Sequence, residues 1–99
     1  MTRVVLSVQA ERDLEEIGDY IAGDSPQRAL AFISALRAHC DRIARAPFAY
    51  PARPELADGV RTCTHGPYLI VFRPGDETVL IVRILHGARN LPALFRDDP

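Results

Sequence analysis

Twelve arginines and no lysine supply the permanent positive charge of this chain. Every fixed cation is therefore a planar fork suited to carboxylate or phosphate, and none can act as a Schiff base or a lowered-pKa general base. Arg61, Arg73 and Arg83 stand in three successive β-prone runs. The last run leads into His86-Gly87-Ala88-Arg89-Asn90, where an imidazole, a guanidinium and an amide crowd a Gly-bearing turn. His86, Arg89 and Asn90 are the candidate contacts to a partner protein or to phosphate. If the chain does chemistry, Arg61, Arg83, His86 and Arg89 are the groups it would use, with His65 and Tyr68 as further acid–base candidates. A structural reading stands beside each. Arg83 interrupts an apolar strand and must reach water, an acid or a partner, because an unpaired buried charge is very costly. A hairpin Tyr such as Tyr68 packs on its neighbour.

Other chemistries find little support. His39, His65 and His86 stand apart in sequence, and Cys40 and Cys63 lack C-x-x-C spacing, so no metal and no cofactor is expected. The two thiols are read as small buried hydrophobes. With no signal peptide and no long apolar run, the expected compartment is the cytoplasm, with no membrane association. Ninety-nine residues suit a single domain spanning 1–99, which buries roughly 65% of its unfolded surface. A net charge of −1 argues against a dedicated nucleic-acid binder. The charge is nevertheless uneven. Residues 9–24 hold Glu11, Asp13, Glu15, Glu16, Asp19 and Asp24 against Arg12 alone, whereas 59–96 hold five arginines against Asp76 and Glu77. Two contact surfaces of opposite sign would suit a partner-binding protein.

The elements that must position these groups follow from periodicity. Residues 3–8 open with a β-prone run. Ala10, Leu14, Ile17 and Ile21 recur at helical spacing, which predicts a helix over Val8–Ala22 with Ser7 as N-cap. Ser25-Pro26 starts a second helix with the stripe Ala29, Ile33, Leu36, Cys40 and Ile43, ended near Ala46 by Pro47. So short a link forces an antiparallel helical hairpin. Residues 47–58 read as an ordered loop pinned by Phe48, Tyr50 and Leu56. Strands follow at about 59–64, 68–73 and 78–86, separated by His-Gly-Pro and Pro-Gly-Asp-Glu turns. The expected fold is α+β: an N-terminal strand, the helical hairpin, then a three-stranded antiparallel meander covered on one face. Leu14, Ile17, Ile33, Leu36, Ile43, Val71 and Ile81 are the expected core, and Tyr20 and Phe32 are also read as core.

Three segments together resemble the ParE/RelE superfamily of bacterial type II toxins: Ser7-x-x-Ala10-x-x-Asp13-Leu14-x-x-Ile17-x-x-Tyr20-Ile21, the Pro47-Phe48 helix exit, and Gly66-Pro-Tyr-Leu-Ile-Val-Phe72 leading to Val82-Arg-Ile-Leu-His-Gly-Ala-Arg-Asn90. The resemblance implies a toxin neutralised by a cognate antitoxin. RelE-like members cut mRNA on the ribosome, and ParE-like members poison DNA gyrase by binding. The nuclease pattern uses clustered Lys and Arg with a Tyr near the C-terminus. Here Phe95 stands at the Tyr position, Leu69 at a strand arginine, and Lys is absent. The resemblance therefore favours the ParE-like branch: a gyrase inhibitor and not an enzyme, with a ParD-like antitoxin and operator DNA reached only through that antitoxin. A ribosome-dependent endoribonuclease, or a non-toxic antitoxin-binding remnant, are the alternatives. The antitoxin is expected on the helical hairpin and the sheet, using Leu14, Ile17, Ile21, Leu30, Arg73 and Arg83.

Overall fold

The computed structural model describes residues 2–87. In chain order these form strand β1 (Arg3–Leu6), helix α1 (Val8–Ala22), helix α2 (Pro26–Arg45), one 3-10 turn (Pro47–Ala49), and strands β2 (Arg61–His65), β3 (Tyr68–Pro74) and β4 (Thr78–His86). The start signals work as expected. Ser7 Oγ accepts the Ala10 N–H and Ser25 Oγ accepts the Arg28 N–H, each satisfying a donor the helix itself cannot. Gly66, with φ of 57°, takes the first position of the two-residue β2–β3 loop, as a type II′ turn requires.

The strands form a single four-stranded sheet in the order β1-β4-β3-β2. β2, β3 and β4 pair as the expected antiparallel meander. β1, however, runs parallel to β4, with Arg3 opposite Thr78 and Leu6 opposite Ile81, so the sheet is mixed and not wholly antiparallel. The helical hairpin returns the chain to the end of the sheet where β1 began. A three-stranded meander started there finishes with its last strand running in β1's direction. A bulge leaves Val82 unopposed, because Val71 pairs with Arg83 while Phe72 pairs with Ile81.

The core lies in two layers. Between the helices and the sheet, Leu14, Ile17, Leu36, Cys40 and Ile43 pack on Ile70, Phe72, Val79, Ile81 and Ile84. Ile33 packs against this layer only half-buried. On the opposite face Leu56 and Val60 cover Leu69, Val71 and Leu85. The Pro-rich loop thus shields the sheet face that the sequence left without a cover. Tyr50 pins the loop's start by resting edge-on against Phe72, with ring centres 5.8 Å apart. Tyr20 departs from expectation: it is 81% exposed, because it lies one step outside the buried Leu14–Ile17 stripe. Phe32 is half-buried against the core.

Candidate functional site

β1 ends at Leu6 while β4 continues to His86, so the edge of β4 beyond Ile81 has no strand beside it. The Ser7 cap and Asp13 of helix α1 take over this edge. Ser7 N–H donates to the Ile81 carbonyl at 3.0 Å, Ser7 Oγ donates to the Val82 carbonyl at 2.7 Å, and Asp13 Oδ2 accepts the Ile84 N–H at 2.9 Å. The same carboxylate holds Arg83 in a two-point pair, Nε on Oδ2 at 2.9 Å and Nη2 on Oδ1 at 3.0 Å. Asp13 is buried and accepts three hydrogen bonds across some seventy residues of sequence. Its environment compensates a charge that would otherwise be expensive to bury. The interrupting arginine of β4 is therefore tied to α1, the structural outcome of the two readings its position allows.

Just beyond this pair lies a cleft of about 130 Å³ lined by Asp13, Glu16, Ile17, Tyr20, Tyr68, Ile84, Leu85 and His86. The His86 ring meets Tyr68 edge-on at 5.7 Å, and Tyr68 meets Phe32 at 5.7 Å. The exit from β4 therefore starts at an aromatic-rimmed, partly acidic cleft. Arg89, Asn90 and Phe95 lie outside the described residues.

The other strand arginines do not join Arg83. Arg61 Nη1 donates to the Tyr50 carbonyl at 2.6 Å and its guanidinium lies 4.9 Å from the centre of the exposed Phe48 ring. Arg73 Nε donates to the Asp58 carbonyl at 3.0 Å. Two of the three cations are thus spent on the 46–60 loop and one on α1. His65 lies opposite Tyr68 across the β2–β3 pair, and its Nδ1 lies 2.8 Å from His39 Nδ1.

Two of the three histidines expected to stand apart in fact meet, and His39 also places Nε2 3.3 Å from Cys63 Sγ. Separation by 24 to 26 positions hid this contact from sequence periodicity. Among the described residues no cluster of three or more His, Cys, Asp and Glu side chains is placed to hold a metal ion. Burial, followed by the neighbouring Asp41, pushes the Cys40 thiol up to about 11. Cys63 is only half-buried, so one of the two thiols departs from the buried-hydrophobe reading.

Of the expected antitoxin contacts, Leu14 and Ile17 are 4% and 6% exposed, which places them in the monomer's own core. Ile21 is half-buried against that core. Leu30 is 75% exposed and Arg73 is also open. Outside the buried stripe, a shallow groove of about 400 Å³ runs between the helices, with Leu14, Gly18 and Ile33 along its floor and Glu11, Glu15, Asp19 and Arg37 on its rim. Asp13 is the residue sequence reasoning missed, having been counted only among the acids of a contact surface. Its place three after Ala10 and one before Leu14 marked it as adjoining the apolar stripe.

The comparisons agree on one lineage. The toxin RelE2 of Caulobacter vibrioides is 36% identical over 91 residues, which is 90% of this chain and 99% of that protein. The toxin ParE3 of the same organism is 29% identical, covering 94% of both chains. A solved chain of the chromosomal ParDE system from P. aeruginosa superposes with a TM-score of 0.74 at 26% identity, over 87% of this chain and 96% of that one. A chain of the RelBE2 toxin–antitoxin complex from Mycobacterium tuberculosis gives 0.62 at 27% identity, over 85% and 95%. A family model for the ParE toxin of the type II toxin–antitoxin system parDE matches residues 4–91, and with the strand, helical hairpin and meander described above it establishes that the chain belongs to the ParE/RelE toxin family.

Proposed function

We propose that this toxin acts by binding DNA gyrase through the segment that leaves β4 at His86, without cleaving nucleic acid itself. The observation that supports this most is the commitment of the strand arginines: Arg83 to Asp13, Arg61 to the Tyr50 carbonyl, Arg73 to the Asp58 carbonyl. A nuclease of this size needs several cations converging on one phosphate, with an acid and a base beside them. Here the cations diverge, Leu69 is buried in the second core layer, and His65 is engaged by His39. A binding protein needs none of that convergence. His86, Arg89 and Asn90 serve as its contacts.

A ParD-like antitoxin neutralises the toxin by docking on the helical hairpin. The groove between α1 and α2 has an apolar floor and a rim rich in acids, and Leu30, Tyr20 and Val8 stand exposed around the hairpin. That surface suits an amphipathic helix whose polar side carries arginines or lysines.

The competing reading is ribosome-dependent mRNA cleavage, favoured by the 36% identity to a toxin named RelE2. Growth, gyrase-linked DNA breaks and mRNA cuts measured after expression of wild type, Arg89→Ala and a truncation before Gly87 separate the two. Gyrase-linked breaks by wild type, lost in both variants while the proteins still fold and bind antitoxin, support gyrase binding. Ribosome-dependent cuts by wild type would overturn it.

A further inference from the structure

His39 on α2 and His65 at the end of β2 touch through their Nδ1 atoms at 2.8 Å. Two imidazoles can approach so closely only with one proton between them: one Nδ1 donates and the other accepts. One arrangement satisfies the surroundings. The Cys63 thiol donates to the Thr64 carbonyl, 3.6 Å away. Its sulfur is then the acceptor for His39 Nε2–H, 3.3 Å away. With its one proton on Nε2, neutral His39 offers a bare Nδ1, and His65 Nδ1–H donates to it. Each polar atom along Thr64, Cys63, His39 and His65 thereby has a matching role.

We infer that His39 and His65 form a proton-operated latch that fastens α2 to edge strand β2 when the pair carries at most one extra proton, and releases it when both rings are charged. The first added proton can be accommodated, because His39 Nδ1–H⁺ can donate to His65 once His65 shifts its own proton to Nε2. The second cannot. It leaves two N–H groups facing each other across 2.8 Å between two cations. The charged and titratable groups around the pair offer no relief. Arg42, on the same helix, adds positive charge near His39, Cys63 faces it from β2, and among the described residues no carboxylate is hydrogen-bonded to either ring. From the rest of the fold the neighbours of His65 are aromatic: Phe32 lies edge-on at 5.3 Å and carries the contact on to Tyr68, against which His86 rests. Burial, then His65, then Arg42 hold the His39 ring below its ordinary titration range, in agreement with this geometry.

The sign follows from linkage. In the unfolded chain both rings take protons near the ordinary histidine value of about 6.5. In the folded protein the second proton enters only as the contact breaks, and burial and its positive neighbours hold His39 below that value. The latch therefore contributes its full stability above about pH 6.5 and loses it as pH falls through the lowered range of His39. β2 gains most from the latch, because it is an edge strand bonded to the sheet on one side, with only the short bridge at Ala52 on the other.

Histidine ring resonances followed by NMR between pH 7.5 and 5.0 test this, alongside hydrogen-exchange protection of the β2 amides, for wild type, His39→Gln and His65→Phe. His65→Phe keeps a ring against Phe32 and removes the titrating partner. The latch predicts that His39 titrates below the ordinary range in wild type and moves up in His65→Phe. It also predicts that β2 protection falls roughly tenfold or more between pH 7.5 and 5.0 in wild type, with little pH dependence in either variant. Independent titration of the two rings at ordinary values, or equal acid sensitivity of β2 in wild type and His39→Gln, would overturn it. A histidine-dependent rise in melting temperature with added Zn²⁺ that also suppressed the acid response would replace the latch with a metal site.

Discussion

Asp13 concentrates three roles in one carboxylate: it pairs Arg83 at two points and closes the open edge of β4 at Ile84. Removing it takes two bonds from a mostly buried guanidinium and the acceptor from the buried Ile84 N–H. Asp13→Ala is expected to lower stability by about 3–5 kcal/mol in urea unfolding. Asp13→Asn, which keeps the shape and an acceptor oxygen, should lose distinctly less, and equal losses would show that packing rather than charge holds the site. The two thiols supply a second residue-scale expectation. Cys40 is buried with its thiol pushed up to about 11, so the thiolate that reacts with disulfide reagents is scarce at pH 8. Burial also raises the Cys63 thiol, but that side chain is partly open. Ellman's reagent should therefore label Cys63 slowly in the native protein and Cys40 only after unfolding, as Cys63→Ser would reveal by abolishing the native phase.

At the level of elements, α2 is held by the layer that Leu36, Cys40 and Ile43 form against the sheet. Leu36 is fully buried, so Leu36→Ala is expected to cost about 2–5 kcal/mol, the range set by how far neighbours close the cavity. The β2–β3 turn makes a narrower demand. Gly66 has φ of 57°, yet a Cβ there would meet nothing within 4 Å. Gly66→Ala should therefore cost only the backbone strain of an alanine held at positive φ, about 1–3 kcal/mol by thermal unfolding. Helix α1 works differently from α2: besides packing, it substitutes for a missing strand along β4, which explains an acid inside an otherwise apolar interface.

For the molecule as a whole, Glu11, Glu15 and Asp19 along the hairpin groove give that surface a negative field. Docking of a basic antitoxin segment on the hairpin should be steered by that field. Its association rate is expected to fall roughly tenfold between 50 and 300 mM salt in stopped-flow measurements, with a smaller change in dissociation. Leu30 is 75% exposed, so Leu30→Glu should leave stability within about 0.5 kcal/mol while weakening antitoxin binding by about 2 kcal/mol or more. Unchanged affinity would move the docking surface off the hairpin.

Local pattern determined a good deal of this protein. The caps at Ser7 and Ser25, the helical stripes, the Gly66 turn and the meander order are set by neighbours within about four residues, and each is legible because such interactions repeat with the period of the element. What the tertiary structure alone decided joins residues far apart. The parallel seat of β1 against β4, the loop folded under the second face, the Asp13–Arg83 pair and the meeting of His39 with His65 and Cys63 carry no period. The same holds for the arginines. Three successive strands carry them, but each is held by a separate partner, on α1 or in the loop. A side chain's partner depends on which of its many polar neighbours the packed backbone brings within 3 Å, and that choice is made only once the sheet has its order and the helices their face.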